Sequence, residues 1–188
     1  MKRYLLLVVL AAASVPAAAQ GFNYNFVEAT YGQLDFDDLN VDGDFFGVGG
    51  SLAINENFHG IAAYESADLD FGVDATSWNI GVGFNTPISP VIDVVAQLTY
   101  ESVEVSLGSA EADDDGLGLA VGLRANVSEA VELNFGVKYV DLDDSGDDTA
   151  LGAAFLMDLT DNFAIGLNGS WGDDASAYGI FGRFYFDR

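Results

Sequence analysis

From Gly116 to Asp141 the chain reads GLGLAVGLRANVSEAVELNFGVKYVD, and every second residue is apolar. Leu117, Leu119, Val121, Leu123 and Ala125 alternate with Gly116, Gly118, Ala120, Gly122, Arg124 and Asn126, which are small or polar. After the break Val127–Ala130 the period resumes, with Val131, Leu133, Phe135, Val137 and Tyr139 on one side and Glu132, Asn134, Gly136 and Lys138 on the other. A period of two means strands, because successive side chains of a pleated backbone point to opposite faces. A short break between two such runs is a hairpin. One face of this hairpin is free of charge. It suits the inside of a soluble sandwich, or the outside of a barrel whose apolar face meets lipid.

The same period predicts ten strands: Phe22–Leu34, Phe45–Ile54, Phe58–Ala67, Thr76–Phe84, Val91–Val105, Gly116–Asn126, Val131–Asp141, Thr149–Leu159, Phe163–Trp171 and Ala177–Phe186. The first has apolar residues on both parities, so an eight-strand count with one hairpin lost is the alternative. Connections alternate in character. The turns Asn55–Asn57, Asn85–Pro90, Val127–Ala130 and Thr160–Asn162 are short, whereas Asp35–Asp44, Asp68–Ala75, Ser106–Asp115, Leu142–Asp148 and Gly172–Ser176 are longer and acidic. An even strand number, strands near the length that crosses a bilayer at a tilt, and short turns against long loops together predict an all-β, up-and-down antiparallel transmembrane β-barrel. Both termini would then face the periplasm. Inward glycines such as Gly47, Gly49, Gly81, Gly83, Gly118 and Gly122 leave room for other side chains and ease tight curvature; bulges in a soluble sheet are the other account of them.

The first residues bear on which membrane case holds. Met1-Lys2-Arg3 is a cationic head, Tyr4 to Ala13 an apolar run, and Ala17-Ala18-Ala19 a small-residue cleavage site. That is the plan of a secretory signal peptide covering residues 1–19, leaving 20–188 as a single barrel domain. The apolar run is too short to span a bilayer as a helix. No cysteine occurs, which removes disulfide scaffolds.

Composition narrows the function classes. Asp and Glu number 30 against 6 Lys and Arg, for a net charge of −24, so nucleic acid is an unsuitable partner. Half the residues are hydrophobic, which argues against disorder despite the charge. More than half of the acids fall in the five predicted loops. Asp113, Asp114, Asp115, Asp143, Asp144, Asp147 and Asp148 are candidate oxygen ligands for loosely bound Ca²⁺ or Mg²⁺, shared with the phosphates of surrounding lipopolysaccharide. The full calcium-loop pattern is missing, and the alternative is a solvated, repulsive loop set.

The few bases suggest an interior network. Arg124, Lys138 and Arg183 all have inward parity, with Asp93 and Glu132 flanking Arg124, and Glu28 near Arg183 if the last strand closes against the first. An interior charge needs a partner or water. Such a network plugs a narrow lumen, or else lines a selective pore. His59 is the only histidine, and with no cysteine a transition-metal site has no ligand set. No G-x-S-x-G elbow occurs, and nothing in the sequence points to an enzyme.

The run Ala177–Phe186, with Tyr178, Ile180, Phe184 and Phe186 alternating, resembles the C-terminal sorting strand of outer-membrane barrels, although Asp187-Arg188 follows the last Phe. With Asn23-Tyr24-Asn25-Phe26-Val27-Glu28 opening the first strand, the mature chain is similar to the small outer-membrane β-barrel proteins of Gram-negative bacteria (OmpA/OmpX-like barrels). Among these it looks closest to a barrel family linked to secreted immunity- or quorum-related factors of plant-associated bacteria. The resemblance implies a cell outer membrane location, outer-membrane lipid and lipopolysaccharide as surroundings, and handling by the barrel-assembly machinery. The expectation is therefore a monomeric outer-membrane barrel with no cofactor, serving a structural or surface-interaction role. The alternatives are a narrow porin-like channel for small cationic solutes and a soluble periplasmic barrel holding an apolar ligand.

Overall fold

The computed structural model describes residues 21–36, 41–173 and 175–186. The expected leader, residues 1–19, lies outside them. Ten antiparallel strands follow in sequence: β1 (Phe26–Phe36), β2 (Val41–Ala53), β3 (Phe58–Leu69), β4 (Val73–Ser89), β5 (Ile92–Leu107), β6 (Ala110–Ser128), β7 (Val131–Leu142), β8 (Gly146–Thr160), β9 (Phe163–Trp171) and β10 (Ser176–Tyr185). Each pairs with its neighbours in the chain, and β10 closes against β1 through Phe26↔Tyr185, Glu28↔Arg183 and Thr30↔Phe181. A closed ring leaves no strand edge, which is what a sheet surrounded by lipid requires.

The faces follow the period of two. Val121 and Leu119 on β6, Val82 and Ile80 on β4, and Leu167 and Ile165 on β9 all project outward and are exposed. Their neighbours Gly83, Gly118 and Gly122 turn inward, where space is tight. A Cβ on Gly83 would collide with the His59 ring, and one on Gly118 would collide with Glu101 and Thr99. These glycines are therefore where larger inward side chains are seated, and they do not mark bulges. The bulges lie elsewhere, at Pro87/Ser89, Asn126/Ser128 and Asp158/Thr160, beside short turns at the rim where they end the pairing.

Two expectations need correction. Among the described residues the expected loop asymmetry is largely lost, because most of the acidic stretches are strand. Strand β6 begins at Ala110 and pairs Asp113, Asp114 and Asp115 with Glu104, Val103 and Ser102 of β5. Likewise β8 pairs Asp147 and Asp148 with Asp141 and Val140. Once a tight turn joins two antiparallel arms, continuing the ladder gives the backbone N–H and C=O of alternate residues a partner. That outweighs the weak strand preference of Asp, whose side chains stay in water. At the other end β4 runs on through the expected turn to Ser89. The second correction is that β1 begins at Phe26, not Phe22. The residues before it, Gly21 to Asn25, turn into the mouth of the barrel.

Candidate functional site

At the termini end of the lumen a floor of side chains is built around Arg124. Tyr24 projects into the barrel and is only 8% exposed. Its hydroxyl donates to Asp93 Oδ2 at 2.9 Å, and its ring stacks on His59 with centroids 4.5 Å apart. Arg124 sits beside it, with its guanidinium 4.6 Å from the Tyr24 ring and 4.9 Å from the Phe22 ring. Arg124 donates to both oxygens of Glu132, Nε to Oε1 at 2.8 Å and Nη2 to Oε2 at 2.9 Å, and its Nη1 donates to the Asn23 carbonyl at 3.3 Å. The bidentate pair and the Asn23 carbonyl take three of the guanidinium's five N–H donors, while the two rings add cation–π contact. His59 is almost fully buried and its Nδ1 lies 3.2 Å from Asn85 Oδ1. Asn23 and Asn25 fasten the segment before β1 to the rim, through the Phe186 carbonyl and the Ala53 N–H.

Two further ion pairs face the lumen. Arg183 donates Nε and Nη2 to Glu28 Oε2 at 2.9 and 2.7 Å and lies 4.1 Å from the centre of the Phe26 ring. Lys138 Nζ meets Glu101 Oε1 at 2.8 Å, and that same oxygen accepts from the Thr99 hydroxyl. The predicted set Glu28, Asp93, Arg124, Glu132, Lys138 and Arg183 thus all faces the lumen. Asp93 is opposite Arg124 in the register but serves Tyr24, while Glu132 takes the cation.

Glu101, Glu65 and Tyr24 were not singled out from the sequence. The parity that sends Leu98 and Tyr100 outward also sends Glu101 inward, so Glu101 was within reach of the pattern. Strand β3 alternates less cleanly around Glu65, and Tyr24 falls in the predicted first strand, whose parity is ambiguous, whereas the structure places it before β1. Above the floor is an open chamber of about 380 Å³ lined by Glu28, Glu65, Glu101, Lys138 and Asn168 among others.

The outer surface shows a second pattern. Tyr31, Tyr64, Trp78, Tyr100, Tyr139 and Tyr178 form an outward aromatic row near the acidic end. Above it, also outward, come Asp44, Asp68, Asp74, Asp141 and Asp147. An aromatic belt followed by charge is the signature of a lipid–water boundary. Of the candidate cation ligands, Asp113, Asp114, Asp115, Asp147 and Asp148 lie on strands and Asp143 and Asp144 in the β7–β8 turn, and Asp113 and Asp115 face away from Asp114. Among the described residues no group of three or more His, Cys, Asp or Glu is arranged to hold a metal.

Asp114, above the lipid band, instead ties two hairpins together. Its Oδ1 accepts from the Asp144 N–H at 3.2 Å and its Oδ2 from the Ser145 N–H at 2.7 Å. The Ser145 side chain first, and then these backbone donors, hold its carboxyl below the ordinary value of 3.8. A carboxyl lowered on folding stabilises the fold above its unfolded value, and that contribution is lost as pH falls through the lowered one. Amide exchange at Ser145, measured between neutral pH and pH below 3.8, should therefore show protection lost only at the acidic end of that range. Equal protection after Asp114→Asn at neutral pH would show that the carboxylate charge is not what holds the turn. Of the sorting-strand residues, Tyr178, Ile180 and Phe184 form one outward row on β10, and Phe186 follows at its end, also exposed.

Comparison with known proteins fits this architecture. A family model described as "Outer membrane protein beta-barrel domain" matches residues 5–168. No curated protein matches the chain in sequence. Among solved structures, the KdgM porin in complex with disordered oligogalacturonate aligns with a TM-score of 0.51 at 8% identity, over 86% of this chain and 99% of that one. The β domain of the Bordetella autotransporter BrkA aligns with a TM-score of 0.51 at 12% identity, over 88% and 100%. At such identities the likeness is one of fold.

Proposed function

Because the chain belongs to the outer-membrane protein β-barrel domain family and lies in the outer membrane, we propose that it works as a closed, surface-facing barrel and not as an open pore or an enzyme. The observation that carries this reading is the floor, in which Tyr24, Arg124, Asp93 and Glu132 are tied together across the termini end of a ten-stranded lumen, a barrel size that side chains can largely fill. The collar of carboxylates above the aromatic belt supports a role at the outer surface, where it attracts cations and faces the lipopolysaccharide headgroups. The outward row on β10 supports recognition by the barrel-assembly machinery. KdgM was solved in complex with disordered oligogalacturonate, an acidic saccharide; a chain carrying −24 charges suits no such ligand.

Conductance across a planar bilayer tests the closure. The wild-type chain should give no steady current steps, and removal of residues 21–25 should produce them, since Arg124 then loses both flanking rings and the Asn23 carbonyl. Steady steps from the wild type would overturn the closed reading in favour of a narrow cation channel, for which the acidic chamber above the floor is the supporting observation.

A further inference from the structure

We infer that the chamber above the floor binds a small primary organic ammonium ion, with Glu65 as its counter-charge. The inference rests on the closed reading in one respect, that the chamber is a pocket with a floor and not a passage. Its evidence is a charge ledger. Each described base in the lumen already has a carboxylate: Arg124 has Glu132, Arg183 has Glu28, and Lys138 has Glu101. Asp93 receives the Tyr24 hydroxyl. Glu65 lines the same chamber and is attracted by Lys138, but Lys138 already holds Glu101, so one base stands against two carboxylates and the chamber holds one in excess. An anion would find no base left to meet it.

The neutral polar groups point the same way. Asn168 Oδ1, Asn134 Oδ1 and Ser51 Oγ are buried without a hydrogen-bond partner, and Ser51 is only 3% exposed. Asn168 borders both the chamber and an adjoining space that reaches Asn134 and Ser51. Native interiors rarely leave such atoms unmatched, and two of the three are amide acceptors that call for a donor. A primary ammonium supplies three N–H donors and a positive charge in one group. Its hydrocarbon body suits the adjoining wall, where Phe26, Ile61 and Val95 are apolar. A bare divalent ion lacks this fit, because no three carboxylates converge among the described residues. The collar outside supplies the field that brings cations to the mouth.

Calorimetric titration of the full chain in detergent micelles with n-butylammonium is the test. One-site saturable binding is expected for the wild type, weakened roughly tenfold or more in Glu65→Gln, which leaves the collar charge intact. Tetramethylammonium, equal in charge but without N–H donors, should give no saturable heat. A heat-modifiable gel band establishes that the variant is folded. If Glu65→Gln does not fold, Asn168→Ala replaces it, with weaker binding again expected. Equal affinity in the folded variant would assign the attraction to the collar and overturn the inference, as would a wild type that never saturates. Wild-type conductance is read separately, so a leaky floor would sink the closed reading while leaving the butylammonium isotherm to stand or fall alone.

Discussion

Arg124→Ala should destabilise the barrel by about 3–5 kcal/mol, because it leaves Glu132 buried without its cation. Glu132 is 8% exposed and gives both oxygens to Arg124, so no solvent is at hand to take over. Asp93 and Glu132 would then face each other's neighbourhood with no base between them. Urea unfolding in lipid vesicles measures the loss. The double variant Arg124→Met with Glu132→Met removes both charges at once and should recover most of it, since replacing a whole buried pair by apolar groups is often neutral. A single variant within roughly 1 kcal/mol of wild type would mean that Glu132 is not desolvated as the geometry implies. The same variant should also loosen the floor, because the Phe22 and Tyr24 rings lose the cation between them.

Val121→Arg should cost about 2–4 kcal/mol if Val121 lies near the bilayer midplane. Its register neighbours Ala96 and Val137, and Leu119 and Leu123 along its own strand, all lack charge and face outward. An arginine there has only hydrocarbon around it, and its long stem must bend to reach water. Further up the same strand Asp113 lies beyond the aromatic belt, and Asp113→Arg should cost only about 0–1 kcal/mol. Unfolding in vesicles and the fraction showing a heat-modifiable band would compare the two variants. Equal behaviour would place Val121 outside the lipid and overturn the facing of β6. A soluble barrel with an apolar interior would show the reverse order of effects.

Much of this was legible in the sequence, and for a definite reason. In a sheet the side-chain period is two and nothing else, so the alternation of Leu117, Leu119, Val121 and Leu123 with glycines and Arg124 assigns both faces without knowledge of any partner. The same parity places Arg183 inward, and closure of ten strands in chain order then brings it to Glu28, the pair found at 2.7 Å. The inward glycines followed from the same logic. Strand β9 was read to the residue because Trp171 and Phe163 are bounded by turn residues that cannot continue the pattern.

Other features depend on contacts between residues far apart in the chain, which the pattern does not encode. The aspartate runs at Asp113–Asp115 and Asp147–Asp148 read as loop by composition, yet they extend hairpins, because a partner strand opposite them satisfies the backbone whatever the side chains prefer. That extension in turn points Asp114 to the opposite face from Asp113 and Asp115. Phe22 and Tyr24 could not be told from strand by sequence, since only the position of Arg124, contributed by β6, makes the lumen the better place for their rings. Which carboxylate takes which base was likewise decided by tertiary structure. Asp93 and Glu132 are equal candidates in the sequence, and the hydroxyl of Tyr24, folded back from the start of the barrel, satisfies the first and leaves Arg124 to the second. The sequence by itself determined the strands, their faces and their closure, because those depend on a local period. Only the closed barrel decided the floor and the pairing of its charges, because burial sets those energies and only the closed ring creates burial.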